Sequence, residues 1–227
     1  MKPLQIDETA KARVTLTELE RDALAELANI GVSRAASNLR KMVGQQVILS
    51  VPSVEVVSQK TAGALVAERE GNSLVAVRQE FAGAFSGSAL LIFPQAKSLE
   101  LIRAIVGPEV SPADAKDMEE EALGETGNII LNGCLATMAN ILHQSLSVSL
   151  PQVMRGTGER LFQLNETSTE NGLVLFLYIN FSILDLDMRG YIAMLMDLPS
   201  LVALKQLLGE FITSVMGEAV TEHAAHN

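Results

Sequence analysis

The sequence predicts an α/β fold of the α+β kind, in which two long helices pack on one face of a shared, largely antiparallel sheet with pseudo-two-fold symmetry. Three observations lead to this prediction. Two long amphipathic segments occur, strand patterns follow each of them, and polar pairs recur at matching positions of the two halves. A chain of 227 residues, 48% hydrophobic and 19% charged, can bury a substantial core.

The first half is predicted to begin with a long helix. Thr15 or Thr17 can cap its start, since a threonine oxygen accepts a hydrogen bond from a free amide of the first turn. Apolar residues then recur at three- and four-residue spacing from Leu16 to Met42, and Gly44 can end the helix. The other elements are predicted from β-branched runs and turn residues: strands at 47–57, 64–69, 73–79 and 81–93, and a short helix at 98–106.

The second half repeats this order of elements. A second long helix is predicted from about Asp114 to His143, with acidic residues near its start, where the helix dipole favours negative charge. The later elements are strands at 145–153, 160–165, 172–185 and 189–196, and a last helix at 200–208 that residues 211–220 can extend.

An internal repeat explains this organisation. A shift of 99 residues places Glu26 on Glu125 and Asn29 on Asn128, and it also aligns two Ser-apolar-Pro strings. Matching polar residues are rarer by chance than matching apolar patterns, so they favour a duplication. Neither half alone buries a sheet well, which favours one shared core. The expected organisation is a flexible lead-in at 1–15, a single domain at 16–209 with repeats at about 16–107 and 114–209, and a C-terminal helix extension and tail at 210–227.

Composition and charge exclude several classes of function. The net charge of −10 would repel nucleic acid and an anionic membrane surface. Cys134 is the single cysteine, which excludes a disulfide framework and a cysteine-rich zinc site, and only three histidines occur. The opening residues lack the apolar stretch of a signal peptide, and no run reaches the roughly 20 apolar residues of a spanning helix, so we expect a cytoplasmic protein.

Glu26 with Asn29, and Glu125 with Asn128, are the candidate functional residues. Residues three apart lie on one helix face, with Cβ atoms about 5–6 Å apart. Asparagine is unfavourable inside a helix, so its use at the same place in both repeats requires a reason. The carboxylate can pair with a cation of a partner, and the amide can hold one water through its donor and acceptor. One such pair is common by chance on a solvated face, whereas two in register favour a function.

The two long helices resemble the motif helices of the CheC family of bacterial chemotaxis phosphatases, which is related to CheX and to the switch protein FliY. That motif has Asp or Ser, then Glu four residues later and Asn three residues after that, once in each half. The chain is similar to it at DALAELAN (22–29) and EALGETGN (121–128). Glu121 departs from the usual Asp or Ser, and the final proline of the motif is absent from both copies. The resemblance covers about residues 16–209.

The resemblance implies a phosphatase that hydrolyses the aspartyl phosphate of a CheY-like response regulator. Glu26 and Glu125 would bind the lysine beside the phosphoaspartate, and Asn29 and Asn128 would hold the attacking water in line with the phosphorus. The family implies no cofactor of its own, and Mg²⁺ is expected in the partner regulator. It also contains members that bind a CheD-like deamidase, although no residue here is assigned to that contact. The alternative function is a non-catalytic regulator-binding adaptor or a flagellar-switch-like protein.

Four other residues are interpreted as structural. Cys134 is expected to be a small buried apolar residue, and His143 a cation at a helix C-terminus. Asn132 and Asn140 are expected to be solvated or capping residues.

Overall fold

Thr17 starts the first long helix, and Gly44 follows its end. The Thr17 hydroxyl accepts a hydrogen bond from the Glu20 amide at 3.2 Å, and the Glu20 carboxylate accepts one from the Thr17 amide at 2.7 Å. The cap is therefore Thr17 rather than Thr15. Gly44 has a φ of 68°, in the left-handed region that glycine adopts without strain.

The computed structural model describes residues 15–106, 111, 114, 118–163, 173–183 and 186–225. Its helices are α1 (Glu18–Val43), α2 (Gln59–Glu70), α3 (Gln95–Val106), α4 (Glu119–Ile141), α5 (Gly158–Gln163) and α6 (Leu198–Ala225). Its strands are β1 (Val47–Ser58), β2 (Leu74–Gly83), β3 (Gly87–Pro94), β4 (Leu146–Val148), β5 (Gln152–Gly156), β6 (Leu173–Ile183) and β7 (Leu186–Met196). None of the helices among these residues is long and apolar enough to cross a membrane.

The described strands form one antiparallel sheet in the order β1-β6-β7-β3-β2-β4, and β5 also pairs with β2. Each half supplies a helix, an edge strand, a second helix, a hairpin and a last helix, with β4 and β5 together in the place of β1. Corresponding strands therefore occupy corresponding positions from the two ends of the sheet, and the pseudo-two-fold axis passes between β3 and β7. The predicted fold class is confirmed.

The two faces of the sheet carry different helices. The apolar sides of α1, α3, α4 and α6 pack on one face and form the larger core, while α2 and α5 pack on the other face. The long helices α1 and α4 also contact each other. Their remaining sides face solvent, and these sides carry the acidic motif residues.

Gly31 allows α1 and α4 to approach closely. A Cβ atom at this position would lie 2.8 Å from the Cys134 Cα atom and 2.9 Å from the Gly133 carbonyl oxygen. Backbone atoms cannot move aside as the end of a flexible side chain can, so the absence of a side chain fixes the spacing of the two helices.

Two segments predicted as strands are helices instead. Residues 64–69 lie in α2, where the Ser58 hydroxyl caps the first turn by accepting from the Thr61 amide at 3.1 Å. The predicted strand at 160–165 overlaps α5, and residues 164–165 lie outside the described residues. Gly63 and Gly158 bring α2 and α5 together, since a Cβ atom on Gly158 would lie 2.5 Å from the Gly63 carbonyl oxygen. Helix-to-helix packing therefore decides the structure of both segments.

Other boundaries also differ from the prediction. The strand predicted at 145–153 is broken into β4 and β5, and the strand predicted at 81–93 is divided between β2 and β3. Helix α4 begins at Glu119 and ends at Ile141, and α6 extends to Ala225. The lead-in at 1–14 lies outside the described residues, and the division into one domain with two repeats stays a prediction.

Candidate active site

The first polar pair lies on one exposed stripe of α1. Asp22 and Glu26 are exposed, and Asn29 is half-buried at the inner edge of the stripe. Glu26 and Asn29 line an open depression of about 370 Å³ together with Ile30, Ser33, Arg34 and Ser37. The predicted pair is therefore brought together at a surface that a partner can reach.

The second polar pair lies on the matching stripe of α4. Glu121 and Glu125 are exposed, and Asn128 is half-buried. Gly127 lets this helix approach β2, because a Cβ atom on it would lie 2.5 Å from the Val77 Cβ atom. As a result, Asn128 comes within hydrogen-bonding distance of a side chain of the sheet.

Asn29 is bound to the backbone of strand β1. Its Nδ2 donates to the Val51 carbonyl oxygen at 3.1 Å, and its Oδ1 accepts from the Val51 amide at 2.8 Å. Val51 is 3% exposed and lies between Ser50 and Ser53, where the pairing of β1 with β6 is irregular. Asn29 thus satisfies a backbone unit that the sheet leaves unpaired.

Asn128 is bound by side chains instead. Its Oδ1 accepts from Gln79 Nε2 at 3.0 Å and from Asn132 Nδ2 at 2.7 Å, and Gln79 Nε2 also donates to the Ser149 carbonyl oxygen at 2.9 Å. Among the described residues, the Asn128 Nδ2 donor has no hydrogen-bond partner. Within the described part of the chain, the two copies therefore leave different hydrogen-bonding positions open: Asn29 keeps one N–H and one lone pair of Oδ1, whereas Asn128 keeps both N–H groups.

Gln79 and Ile179 hold equivalent places in the two halves. In the strand pairing, Arg78 lies opposite Gln152, which follows the string Ser149-Leu-Pro, and Tyr178 lies opposite Ser53, which follows the string Ser50-Val-Pro. Gln79 comes directly after Arg78, and Ile179 directly after Tyr178. Both side chains are 1% exposed. The apolar Ile179 offers Asn29 no donor, whereas Gln79 offers one to Asn128, so this difference accounts for the bond from the sheet side chain that only the second copy has.

Sequence reasoning missed Gln79, although a signal for it exists. Val77, Gln79 and Phe81 alternate along β2 and are all buried on the face toward the long helices. A glutamine among the apolar residues of a buried strand face is unusual, because a buried amide must find hydrogen-bond partners. A polar residue within this apolar alternation therefore indicates Gln79 as a candidate functional residue.

The different bonding predicts different stability effects for Asn29→Ala and Asn128→Ala. Asn29→Ala leaves a buried amide and carbonyl of Val51 without partners, and we expect it to lower the free energy of unfolding by about 1–2 kcal/mol. Asn128→Ala leaves Gln79 Nε2 bound to Ser149, and alanine favours the helix, so we expect a change within about 0.5 kcal/mol. Urea unfolding of both variants measures the difference, and equal losses would contradict the assigned bonding.

The acidic residues of the two pairs are available to a partner. Among the described residues, neither Glu26 nor Glu125 takes part in an ion pair, whereas Glu119 pairs with Arg155 at 3.3 Å. An exposed carboxylate without an internal partner can bind an external cation without first breaking an existing ion pair. The site therefore offers one carboxylate and one amide in each copy.

The expectation that Asn132 is a solvated or capping residue is wrong, since it is half-buried and donates to Asn128. Cys134 and His143 are structural. Cys134 is fully buried, and burial raises the pKa of its thiol to about 12, so the interpretation as an apolar residue is confirmed. His143 is exposed and has a φ of 53° just after α4. Among the described residues, no group of three His, Cys, Asp or Glu side chains is placed to hold a metal ion.

Two models of chemotaxis phosphatase families match segments of the chain. The model of the chemotaxis phosphatase CheX matches residues 75–176, and the model of the CheC-like family matches residues 19–56. The CheC-like match includes Glu26 and Asn29, and the CheX match includes Glu125 and Asn128.

Relatives and solved structures agree with these matches. The chain is 28% identical to CheC1 of Halobacterium salinarum over 64% of its own length and 74% of that protein. It is 26% identical to CheC of Bacillus subtilis, over 86% of this chain and 96% of that protein, and 26% identical to FliY of the same organism, over 61% of this chain and 36% of that protein. The crystal structure of Thermotoga maritima FliY has the same fold, with a TM-score of 0.66 at 21% identity over 88% of this chain and 98% of that one. The chain is therefore similar to chemotaxis phosphatases of the CheC and CheX type, in the segments that carry both polar pairs.

Proposed function

We propose that this protein is a phosphatase that hydrolyses the aspartyl phosphate of a CheY-like response regulator. The observation that carries the proposal is the duplicated Glu and Asn pair, with each carboxylate exposed and each amide at the inner edge of an accessible helix stripe. The related CheC of Bacillus subtilis is named a CheY-P phosphatase, and the related FliY a flagellar motor switch phosphatase, which supports the same reaction here.

In the proposed mechanism, the acidic residues dock the regulator. Glu26 or Glu125 binds the lysine beside the phosphoaspartate, and this ion pair fixes the register of the complex. The Mg²⁺ ion and the leaving carboxylate belong to the regulator. The phosphatase then needs no metal ligands of its own for this reaction.

The asparagines position the attacking water. Phosphoryl transfer requires little covalent help from a protein, so orientation of the water in line with the phosphorus is the main contribution that Asn29 or Asn128 can make. A neutral amide suits this role, because a carboxylate in the same place would repel the anionic phosphoryl group. The acid and the amide of each pair thus have separate tasks, docking and positioning.

Release of inorganic phosphate from a phosphorylated CheY-like regulator tests this function. We expect the wild-type chain to accelerate release, and the double variant Asn29→Ala/Asn128→Ala to return the rate to that of the regulator alone. The double variant must keep a cooperative thermal unfolding transition for the comparison to count. If a folded double variant accelerates release as the wild type does, the proposed mechanism is wrong.

A second candidate function is a non-catalytic adaptor that binds the regulator. The fold is shared with the middle domain of FliM from H. pylori, with a TM-score of 0.58 at 10% identity, so the fold alone does not select catalysis. The same assay separates the two functions, because an adaptor would bind the phosphorylated regulator without accelerating phosphate release.

A further inference from the structure

We propose that the two copies of the site are unequal: Asn128 contributes most of the activity, and Gln79 and Asn132 are positioning residues that orient its amide. Asn29 acts mainly in stability, by hydrogen bonding to the backbone of strand β1. This inference rests on the proposed phosphatase function and specifies which copy performs it.

The bonding of Asn29 opposes the positioning of a water. Both polar atoms of its amide are used by the Val51 backbone, at 3.1 and 2.8 Å. One N–H of Nδ2 and one lone pair of Oδ1 remain, but the two bonds fix the amide against β1. Turning the amide toward a partner breaks these bonds and leaves a buried backbone group of Val51 without a partner. The first copy therefore starts from an unfavourable geometry.

The bonding of Asn128 favours the positioning of a water. Two donors, Gln79 Nε2 and Asn132 Nδ2, hold its Oδ1 and so fix which side of the amide is the donor side. Its Nδ2 is the atom without a partner among the described residues. An N–H that donates to a water oxygen occupies one lone pair and leaves the second for attack on phosphorus.

Gln79 is poorly explained by stability alone. It is 1% exposed, and its Oε1 has no hydrogen-bond partner among the described residues. A buried acceptor without a partner is unfavourable, and the equivalent Ile179 shows that an apolar side chain fills this place. A role for its Nε2 at Asn128 accounts for the retention of a polar group here.

Leu150 adds an independent observation in favour of the second copy. It is 86% exposed at the bend between β4 and β5, whereas the equivalent Val51 is 3% exposed. Leu150 follows Ser149, whose carbonyl oxygen accepts from Gln79, so it is one residue away in the chain from the hydrogen bonds around Asn128. Burial of this side chain by a docked regulator would add a favourable apolar contact at the second copy.

The single variants test the inequality of the copies. With phosphorylated regulator as substrate, we expect Asn128→Ala to lower kcat about a hundredfold and Asn29→Ala to lower it by less than about threefold. Equal losses, or a larger loss for Asn29→Ala, would overturn the inference while the phosphatase function stands. If a folded Asn29→Ala/Asn128→Ala chain keeps the wild-type rate, the proposed function itself fails.

Gln79→Met and Asn132→Ala test the positioning role. We expect each to lower kcat about tenfold with an unchanged KM, because docking by the acidic residues is unaffected. The matched controls are Ile179→Met, at the equivalent buried position, and Asn140→Ala, on an exposed turn of the same helix, and we expect both to keep the wild-type kcat.

A cycle with Asn128→Ala separates positioning from a general structural effect. If Gln79 acts through Asn128, Gln79→Met has no further effect on the rate that remains in the Asn128→Ala background. An additional tenfold loss in that background, or wild-type kcat in both positioning variants, would refute the role. If Gln79→Met unfolds, the half-buried Asn132→Ala gives the same readout.

Discussion

Gly31→Ala is expected to destabilise the protein by about 2 kcal/mol, which corresponds to a fall of roughly 4–8 °C in Tm for a chain of this size. The added methyl group would lie 2.8 Å from the Cys134 Cα atom and 2.9 Å from the Gly133 carbonyl oxygen. Because both are backbone atoms, α1 and α4 must separate, and the apolar contacts between the helices and the sheet loosen with them. Differential scanning calorimetry measures the change.

Gly209→Ala is the matched control, because the same substitution occurs within α6 in open space. Nothing lies within 4 Å of the position that a Cβ atom on Gly209 would take. Alanine is the better helix former, so we expect this variant to gain about 0.5–1 kcal/mol. The same chemical change thus gives opposite signs at two helical glycines. A stabilising effect of Gly31→Ala would show that the close approach of α1 and α4 can relax without loss.

Glu26→Lys/Glu125→Lys is expected to lower kcat/KM for the phosphorylated regulator about a hundredfold or more, because each attraction for the regulator's lysine becomes a repulsion. Both side chains are exposed and take part in no ion pair among the described residues, so the fold loses no ion pair of its described part. We expect the loss to appear mainly in KM. Initial rates of phosphate release at several regulator concentrations measure it.

Glu68→Lys/Glu159→Lys provides the control for net charge. These exposed glutamates lie on α2 and α5, which cover the opposite face of the sheet, and the double change alters the net charge of −10 by the same amount. We expect less than a twofold change in kcat/KM. If both double variants lose activity equally, the acidic residues act through the overall field of the protein rather than by local docking.

The long helices could be predicted because their signal is long and local. Helix α1 has 26 residues, so the apolar spacing recurs over many turns and outweighs ambiguity at any single turn. Helix α2 has 12 residues and starts directly after the last residue of β1, with only Ala62, Gly63 and Val66 buried. From the sequence alone, a weak apolar pattern with no preceding loop predicts a continued strand. In the structure this segment is a helix that packs on α5.

The polar pairs could also be predicted, but their bonding could not. The spacing within Glu26 and Asn29 is local, so helix geometry alone places the two side chains together. The partners of the amides are not local: Val51 is 22 residues from Asn29, and Gln79 is 49 residues from Asn128. Which strand lies under which helix depends on the order of the whole sheet, and no local pattern contains it.

The bond between Asn29 and the Val51 peptide has a consequence for the interpretation of motifs. An asparagine that closes a gap in strand pairing contributes to stability, whether or not its copy of the motif turns over a substrate. The number of complete motifs in a duplicated chain therefore does not give the number of active sites. The hydrogen-bond partners of each amide are a better guide to the number of active sites, since they distinguish an asparagine that stabilises the fold from one that can take part in the reaction.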